Sequence, residues 1–225
     1  MYKFFAFIIL AFTFSSLALA GGDERAEVKE MTVNYKNWKF KKLGDDSELE
    51  LKKAVQGKKL VMVVYFAPWC GNWRNEAPLV SKLYEKYKAH GFDVIAVGEY
   101  GTKDEVKNFF TLDKSTYTVV VESESGDERE KTSHYEYRKS TGDTRKWGSP
   151  WNIFLEPDKL NKKGDVLMEK AWVVQGELIE ANIEPFIREK LGLPKDDAKT
   201  ALNLNKKNEA CDPDSATKNL QLKKP

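Results

Sequence analysis

Apolar positions along the chain fall into a few strong patterns. "KKLVMVVYFAP" is a continuous, β-branched run, which predicts a central strand buried on both faces. From Cys70 onward the period changes. Ala77, Val80, Leu83 or Tyr84, and Tyr87 recur at three-to-four spacing, predicting a helix that "KAHG" ends at Gly91. "FDVIAVGEY" predicts a second buried strand, "TKDEVKNFFTL" a second helix capped by Thr102, and "TYTVVVES" a third strand. The order β-α-β-α-β implies parallel strands joined by crossover helices.

The flanks are less regular. "MTVNYKNWKFKKL" alternates with a change of register between Val33, Tyr35 and Trp38, Phe40, which predicts a strand pair or a bulge. "DSELELKKAVQG" predicts a short helix with Asp46 or Ser47 as N-cap and Gly57 as its stop. "WNIFLEPDKLNKKGDVLMEKAWVV" predicts a β-hairpin, and "ELIEANIEPFIREKLGL" a closing amphipathic helix with Leu178, Ile179, Ile183, Phe186, Ile187 and Leu191 on its apolar face. The charged stretch over 123–148 has no sustained period and reads as a surface insertion or long loop. The polar stretch before Met31 reads as flexible, and 194–225 as a polar tail.

Residues 1–20 stand apart. Lys3 precedes the apolar "FFAFIILAFTF", which is too short for a permanent span, and "ALA" places small residues before a cleavage site after Ala20. This reads as a secretory signal peptide, with an N-terminal membrane anchor as the alternative. Export would put the mature chain in an oxidising compartment, periplasmic or secreted. The absence of any Asn-x-Ser/Thr acceptor is consistent with the periplasm. No permanent membrane span is expected after cleavage. The 225 residues, 41% apolar and 32% charged, suit one soluble domain with extensions. The net charge is only +2, from 37 basic against 35 acidic residues, so no nucleic-acid partner is expected. Two cysteines are too few for a disulfide scaffold, so the core must hold the fold.

One of those cysteines, Cys70 in "APWCGNWRNEAP", sits where a buried strand gives way to a helix. Free backbone N–H groups and the helix dipole there favour an anion, and the thiolate is the form that attacks disulfides. Pro68 and Trp69 before it, and Gly71 and Asn72 after it, are turn chemistry, which argues against an inert space-filling thiol.

The residues "WCGNWRNEAP" resemble the active site W-C-x-x-C-[RK]-x-E-x-P of the thioredoxin-fold periplasmic thiol-disulfide oxidoreductases of the TlpA/ResA type. Trp69, Cys70, Arg74, Glu76 and Pro78 fall on matching positions, and Trp73 stands where the second cysteine is expected. "VIAVGEY" resembles that family's "V-x-x-V-G-E" strand end, which places Glu99 as a carboxylate near the thiol. "GSPWNIFLEPD" resembles the segment with the cis-proline opposite the active site, making Pro150 its counterpart. The resemblance implies an α/β, thioredoxin-like fold with a central mixed β-sheet flanked by helices. It runs over a domain at 46–193, with an N-terminal extension carrying strands at 21–45, the charged insertion and the C-terminal tail.

It also implies thiol-disulfide exchange with protein or small-molecule thiols and disulfides, through Cys70, Glu99 and Pro150, without a cofactor. Trp73 cannot supply the second thiol that releases a mixed disulfide. Cys211, in the tail, is the resolving candidate within the chain. Two other functions stay open: a non-catalytic thioredoxin-fold module that binds proteins or peptides, and a thiol peroxidase. The peroxidase is faintly suggested by "CG" after "FAP" and by Trp151-Asn152, and disfavoured because no glutamine follows the second strand. Trp73 is expected to cover the thiol, pack on the helix or mark a peptide surface, and Trp151 to shape a groove or simply pack. His90 reads as a helix C-terminal residue and His134 as a loop residue. Two histidines at these spacings do not suggest a metal site.

Overall fold

The computed structural model describes residues 24–113 and 116–194. In chain order the strands are β1 (Arg25–Ala26), β2 (Lys29–Lys36), β3 (Lys39–Lys42), β4 (Glu48–Glu50), β5 (Leu60–Phe66), β6 (Phe92–Gly98), β7 (Thr118–Val121), β8 (Trp151–Leu155), β9 (Val166–Val174) and β10 (Glu177–Leu178). The helices are α1 (Leu51–Ala54), α2 (Gly71–Tyr87), α3 (Lys103–Asp113), α4 (Ser133–Ser140) and α5 (Glu180–Leu191). An eight-stranded mixed sheet has the order β2-β9-β8-β5-β6-β7-β3-β4, and β1 pairs separately with β10. Strands β5, β6 and β7 run parallel, as the β-α-β-α-β pattern requires, while β8 and β9 form the expected antiparallel hairpin. The fold is thioredoxin-like.

Every residue of β5 is buried, because helices or crossing chain cover both faces of the sheet. Leu60, Met62, Val64 and Phe66 point into one core with α2, α5 and Val106 of α3. Val61, Val63 and Tyr65 point into the other, with Val33, Tyr35, Trp38, Tyr137 and Trp151. Only Asn37 and Trp38 separate β2 from β3, yet these strands sit far apart in the sheet order. The β2–β9 pair therefore bends across the second face. Register shifts on either side of Tyr35, and the positive φ of 47° at Asn34, provide the bend the broken alternation predicts.

Four expectations change. The closing helix begins only at Glu180, with Ile179 as its N-cap and Leu178 paired in β10 instead of on the helix face. The segment "DSELELKKAVQG" is not one helix: Glu48–Glu50 pairs with β3 at the sheet edge, and only one helical turn, α1, remains before Gly57. Edge pairing overrides a weak local helix preference. Before Met31, Arg25–Ala26 and Lys29–Glu30 are strand rather than loose chain, as β1 and the start of β2. The charged 123–148 stretch carries a 3₁₀ turn (Gly126–Lys131) and helix α4, whose His134, Tyr137 and Arg138 are buried against the second core face. Among the described residues, no helix is long and apolar enough to cross a membrane.

Candidate functional site

Cys70 caps the N-terminus of α2, in the turn that leaves β5. Its N–H bonds the Ala67 carbonyl at 3.0 Å, and its own carbonyl accepts the Arg74 N–H at 3.2 Å, closing the first helical turn. The antiparallel β5–β8 register pairs Tyr65 with Trp151, so the chain beyond β5 meets the chain before β8. Ala67 N–H donates to Ser149 Oγ at 2.8 Å, and the Cys70 thiol donates to the Ser149 carbonyl at 3.2 Å. The Ser149–Pro150 peptide is cis, and Pro150 is buried. Cys70 is half-buried and has no disulfide partner among the described residues.

The loop that brings Ser149 to the thiol is held from behind. Arg138 Nη1 donates to the Trp147 carbonyl at 2.9 Å, and Arg138 Nη2 donates to the Arg145 carbonyl. Arg145 donates to the Pro150 carbonyl at 3.2 Å. Both guanidinium groups share Asp143, at 3.3 and 2.8 Å. Burial pushes the Asp143 carboxyl up, but the hydrogen bonds and charge of Arg145 outweigh it and hold the group below its usual range. Gly148, at φ 56°, passes so close to Arg138 that a Cβ would overlap the guanidinium.

Trp69, 40% exposed, donates its indole N–H to the Tyr100 carbonyl at 2.9 Å and meets the Trp147 ring edge-on at 5.2 Å. On its other side lies a cleft of about 570 Å³ walled by Pro68, Trp69, Phe109 and Leu112, with Arg74 and Glu105 at its rim. Trp69 and Leu112 are the exposed large apolar side chains among the described residues. Gly71 and Asn72 complete the first turn of α2, exposed and half-buried respectively.

Trp73 is not at the surface. It is fully buried, with its ring stacked on Phe66 at 4.7 Å and tilted against Phe109 at 5.7 Å. It shares the inward face of α2 with Ala77 and Val80, so of the three roles open to it, packing is the one it takes. Its Nε1–H has no hydrogen-bond partner. Trp73→Phe removes that unpartnered donor along with a ring's worth of contacts, two effects of opposite sign. Its denaturation midpoint is expected to correspond to a change of no more than about 1 kcal/mol from the parent.

Glu99 follows β6 and is fully buried, not an exposed strand end. Its N–H bonds the Phe66 carbonyl at 2.8 Å, directly beneath the turn, and its side chain accepts the Ser123 hydroxyl at 2.5 Å. Burial raises its carboxyl well above the ordinary range. The charge and hydrogen bond of Glu122 add to that, and Ser123 opposes it. The structure thus brings together Trp69, Cys70 and Pro150. Glu99 lies under them, bonded to Ser123 rather than to the sulfur. Cys211 lies outside the described residues.

Sequence reasoning missed Ser149, the thiol's partner, and misread His134. That histidine is fully buried on α4, its Nδ1 3.0 Å from the Tyr100 hydroxyl and its ring stacked on Tyr65 at 5.0 Å. Burial, reinforced by Arg138 and Arg145, lowers its pKa well below the ordinary histidine value, so it is neutral. Trp151 likewise packs in the core. The helical spacing of His134, Tyr137 and Arg138 behind Thr132, whose side chain accepts the Tyr135 N–H, was the available signal.

The redoxin family model matches residues 28–143, just over half of the chain. A probable phospholipid hydroperoxide glutathione peroxidase of Arabidopsis thaliana is 26% identical over 154 residues, 64% of this chain and 63% of that protein. The thiol-disulfide oxidoreductase ResA of Bacillus cereus is 31% identical over 78 residues, 35% of this chain and 44% of that protein. This chain thus spans less than two thirds of the length of either relative. A crystal structure of a thioredoxin-family thiol:disulfide interchange protein from Chlorobium tepidum TLS superposes with a TM-score of 0.50 at 17% identity, covering 72% of this chain and 97% of that one. That likeness concerns the fold.

Proposed function

The chain belongs to the redoxin family, and from that premise we propose that it exchanges thiols and disulfides through a single nucleophile, Cys70. The observation that carries this reading is the half-buried thiol at the N-cap of α2, 3.2 Å from the Ser149 carbonyl beside cis Pro150. As thiolate, Cys70 Sγ attacks one sulfur of a disulfide. The S–S bond breaks, a mixed disulfide forms, and the other sulfur leaves as a thiolate. Trp73 occupies the position of the family's second cysteine and, buried in the core, resolves nothing. A second thiol must come from a partner or from Cys211. Cys211 follows Pro194, the last described residue, and the intervening chain spans up to roughly 60 Å when extended. Glu99, buried beneath the turn with its carboxyl raised by burial, is the group we assign to hold a proton for Cys70. Residues 1–20 direct export to the periplasm or beyond, with cleavage after Ala20.

Mass spectrometry of the native protein, recovered without reductant and digested, tests these statements together. The expected result is an N-terminus at Gly21 and Cys70 joined to Cys211 or to a thiol adduct. After mild reduction, one equivalent of a low-molecular-weight disulfide should leave its half on Cys70. A Cys70 that stays unmodified under those conditions refutes the reading.

A second reading draws on the Arabidopsis relative, which covers most of this chain. In it, Cys70 thiolate attacks a peroxide oxygen, the O–O bond breaks, and a sulfenic acid forms with release of the alcohol. External thiol then regenerates Cys70. Peroxide consumption that persists in Cys70→Ser would exclude it.

A further inference from the structure

A second cleft, of about 420 Å³, opens between α4 and the loop before β8. Arg129, Arg138, Lys139, Arg145 and Lys146 line it; Asp143 answers Arg138 and Arg145, Glu24 also bonds Arg145 at 3.0 Å, and Glu130 bonds Arg129, which leaves Lys139 and Lys146 as the positive excess. That imbalance is local, since the chain as a whole is nearly neutral. Arg138 and Arg145 form the floor, fixed by Asp143 and the loop carbonyls. Lys139 and Lys146 stand exposed at the rim, without a salt-bridge partner among the described residues. The Arg129 guanidinium lies 5.2 Å over the Trp147 ring and Lys146 Nζ 5.3 Å over it. Arg129 also bonds Glu130 at 2.9 Å, yet its buried Nε is unpartnered. Through Trp147 this cationic surface is continuous with Trp69, the residue before Cys70. The neighbouring acids Glu128 and Glu136 pair with Lys131 and Lys36.

We propose that this cleft selects the partner of Cys70: a small thiol or disulfide carrying carboxylates close to its sulfur. The proposal rests on Cys70 being the nucleophile. The cleft's volume lies in the range of small-molecule sites. A positive cleft concentrates anions and orients them before reaction, and the effect falls with salt. The sulfur of such a molecule lies over Trp69 at the thiol while its carboxylates reach Arg129, Lys139 and Lys146.

The test compares two aromatic disulfides on the full-length, reduced protein at pH 7 and low ionic strength. One is the dianionic 5,5′-dithiobis(2-nitrobenzoate), the other the uncharged 2,2′-dithiodipyridine. In each, Cys70 Sγ attacks one sulfur and the S–S bond breaks; the anionic reagent releases a coloured thiolate, and the neutral one releases 2-thiopyridone, whose ring nitrogen takes up a proton and which is read by its near-ultraviolet absorbance. The thiol proton goes to solvent. The Cys70 rate is the part of the signal lost in Cys70→Ser. The paired variant Lys139→Glu/Lys146→Glu is expected to slow the anionic reagent about tenfold and the neutral one less than twofold. Lys139→Gln/Lys146→Gln should fall between, and 0.5 M salt should shrink the contrast. If the charge variants slow both reagents alike, or neither, the cleft does not select anions, although Cys70 remains a nucleophile. If Cys70 reacts with neither reagent in the parent protein, the nucleophile itself is refuted, and the selection with it.

Discussion

Asp143→Ala is expected to cost about 3–5 kcal/mol of folding stability, the loss typical of breaking a buried ion pair from one side. The Arg138 and Asp143 side chains are 3% and 2% exposed, so water cannot easily replace the lost carboxylate. Arg138 would be left with carbonyl acceptors only, and Arg145 with the Glu24 carboxylate at 3.0 Å and the Pro150 carbonyl. The effect reaches the site because these two guanidiniums hold the loop that presents Ser149 to Cys70. Alkylation of Cys70 at a fixed pH should therefore change along with stability. Asp143→Asn keeps the shape and part of the hydrogen bonding, and should lose roughly half as much. Urea denaturation measures both. A loss under about 1 kcal/mol for Asp143→Ala would mean that the network behaves like a surface ion pair.

This network also marks where sequence reasoning stops. Strands β5 and β6 were legible because burial on both faces leaves little room for polar residues, Asp93 near the start of β6 excepted, so the run of letters is itself the signal. Helix α3 was legible at its start. Thr102 and Glu105 form a reciprocal capping box, with Glu105 N–H on Thr102 Oγ1 at 3.2 Å and Thr102 N–H on Glu105 Oε2 at 2.7 Å. Helix α4 was not. It is eight residues long, and two of its three buried side chains are His134 and Arg138, whose burial depends on partners such as Tyr100 and Asp143. No local pattern announces those partners. The failure at Glu48–Glu50 has a related cause, since that segment is a strand only because an edge was available to pair with.

At the site itself the split is similar. Cys70 and Pro150 could be read from turn chemistry and the family-like motifs, and the fold brings their segments together. Ser149 could not, because what it offers the thiol is a backbone carbonyl, which carries no residue-type signature. Trp73 could have been placed from its spacing. Positions 73, 77 and 80 share one helical face, and that face is the core.

Glu76→Gln is expected to flatten the pH dependence of stability and to make the protein more stable above pH 8. Glu76 sits on the inner face of α2, 2% exposed, and its Oε2 accepts the Leu178 N–H at 2.6 Å. Burial pushes its carboxyl up to about 8, against the smaller opposing pull of the Leu178 N–H and the Asn152 amide. Oε1 of Glu76 and Oδ1 of Asn152 both lack a donor, while Asn152 Nδ2 donates to the Gly176 carbonyl at 3.1 Å. A proton on the carboxyl removes the charge that burial disfavours. The folded state thus keeps this proton up to about 8, whereas the unfolded chain releases it near 4.5. Across that window the folded state binds more protons, so stability falls as pH rises, and it levels off above the folded value. At about 1.4 kcal/mol per unit, and allowing for relaxation of the site, the loss amounts to roughly 2–4 kcal/mol. Glutamine offers the same acceptor to Leu178 and carries no charge to bury. The variant should match the parent near pH 5 and exceed it by that amount near pH 9, by urea denaturation at each pH. Glu99, raised by burial, and His134, lowered by it, tilt both curves equally, so the difference between them isolates Glu76. Parallel curves from pH 5 to 9 would mean that Glu76 is ionised in the folded protein throughout. The group matters to the site because Asn152 follows Pro150 by two residues. Glu76 ties the helix that begins at Cys70 to β10 through the Leu178 N–H, beside the Asn152 amide.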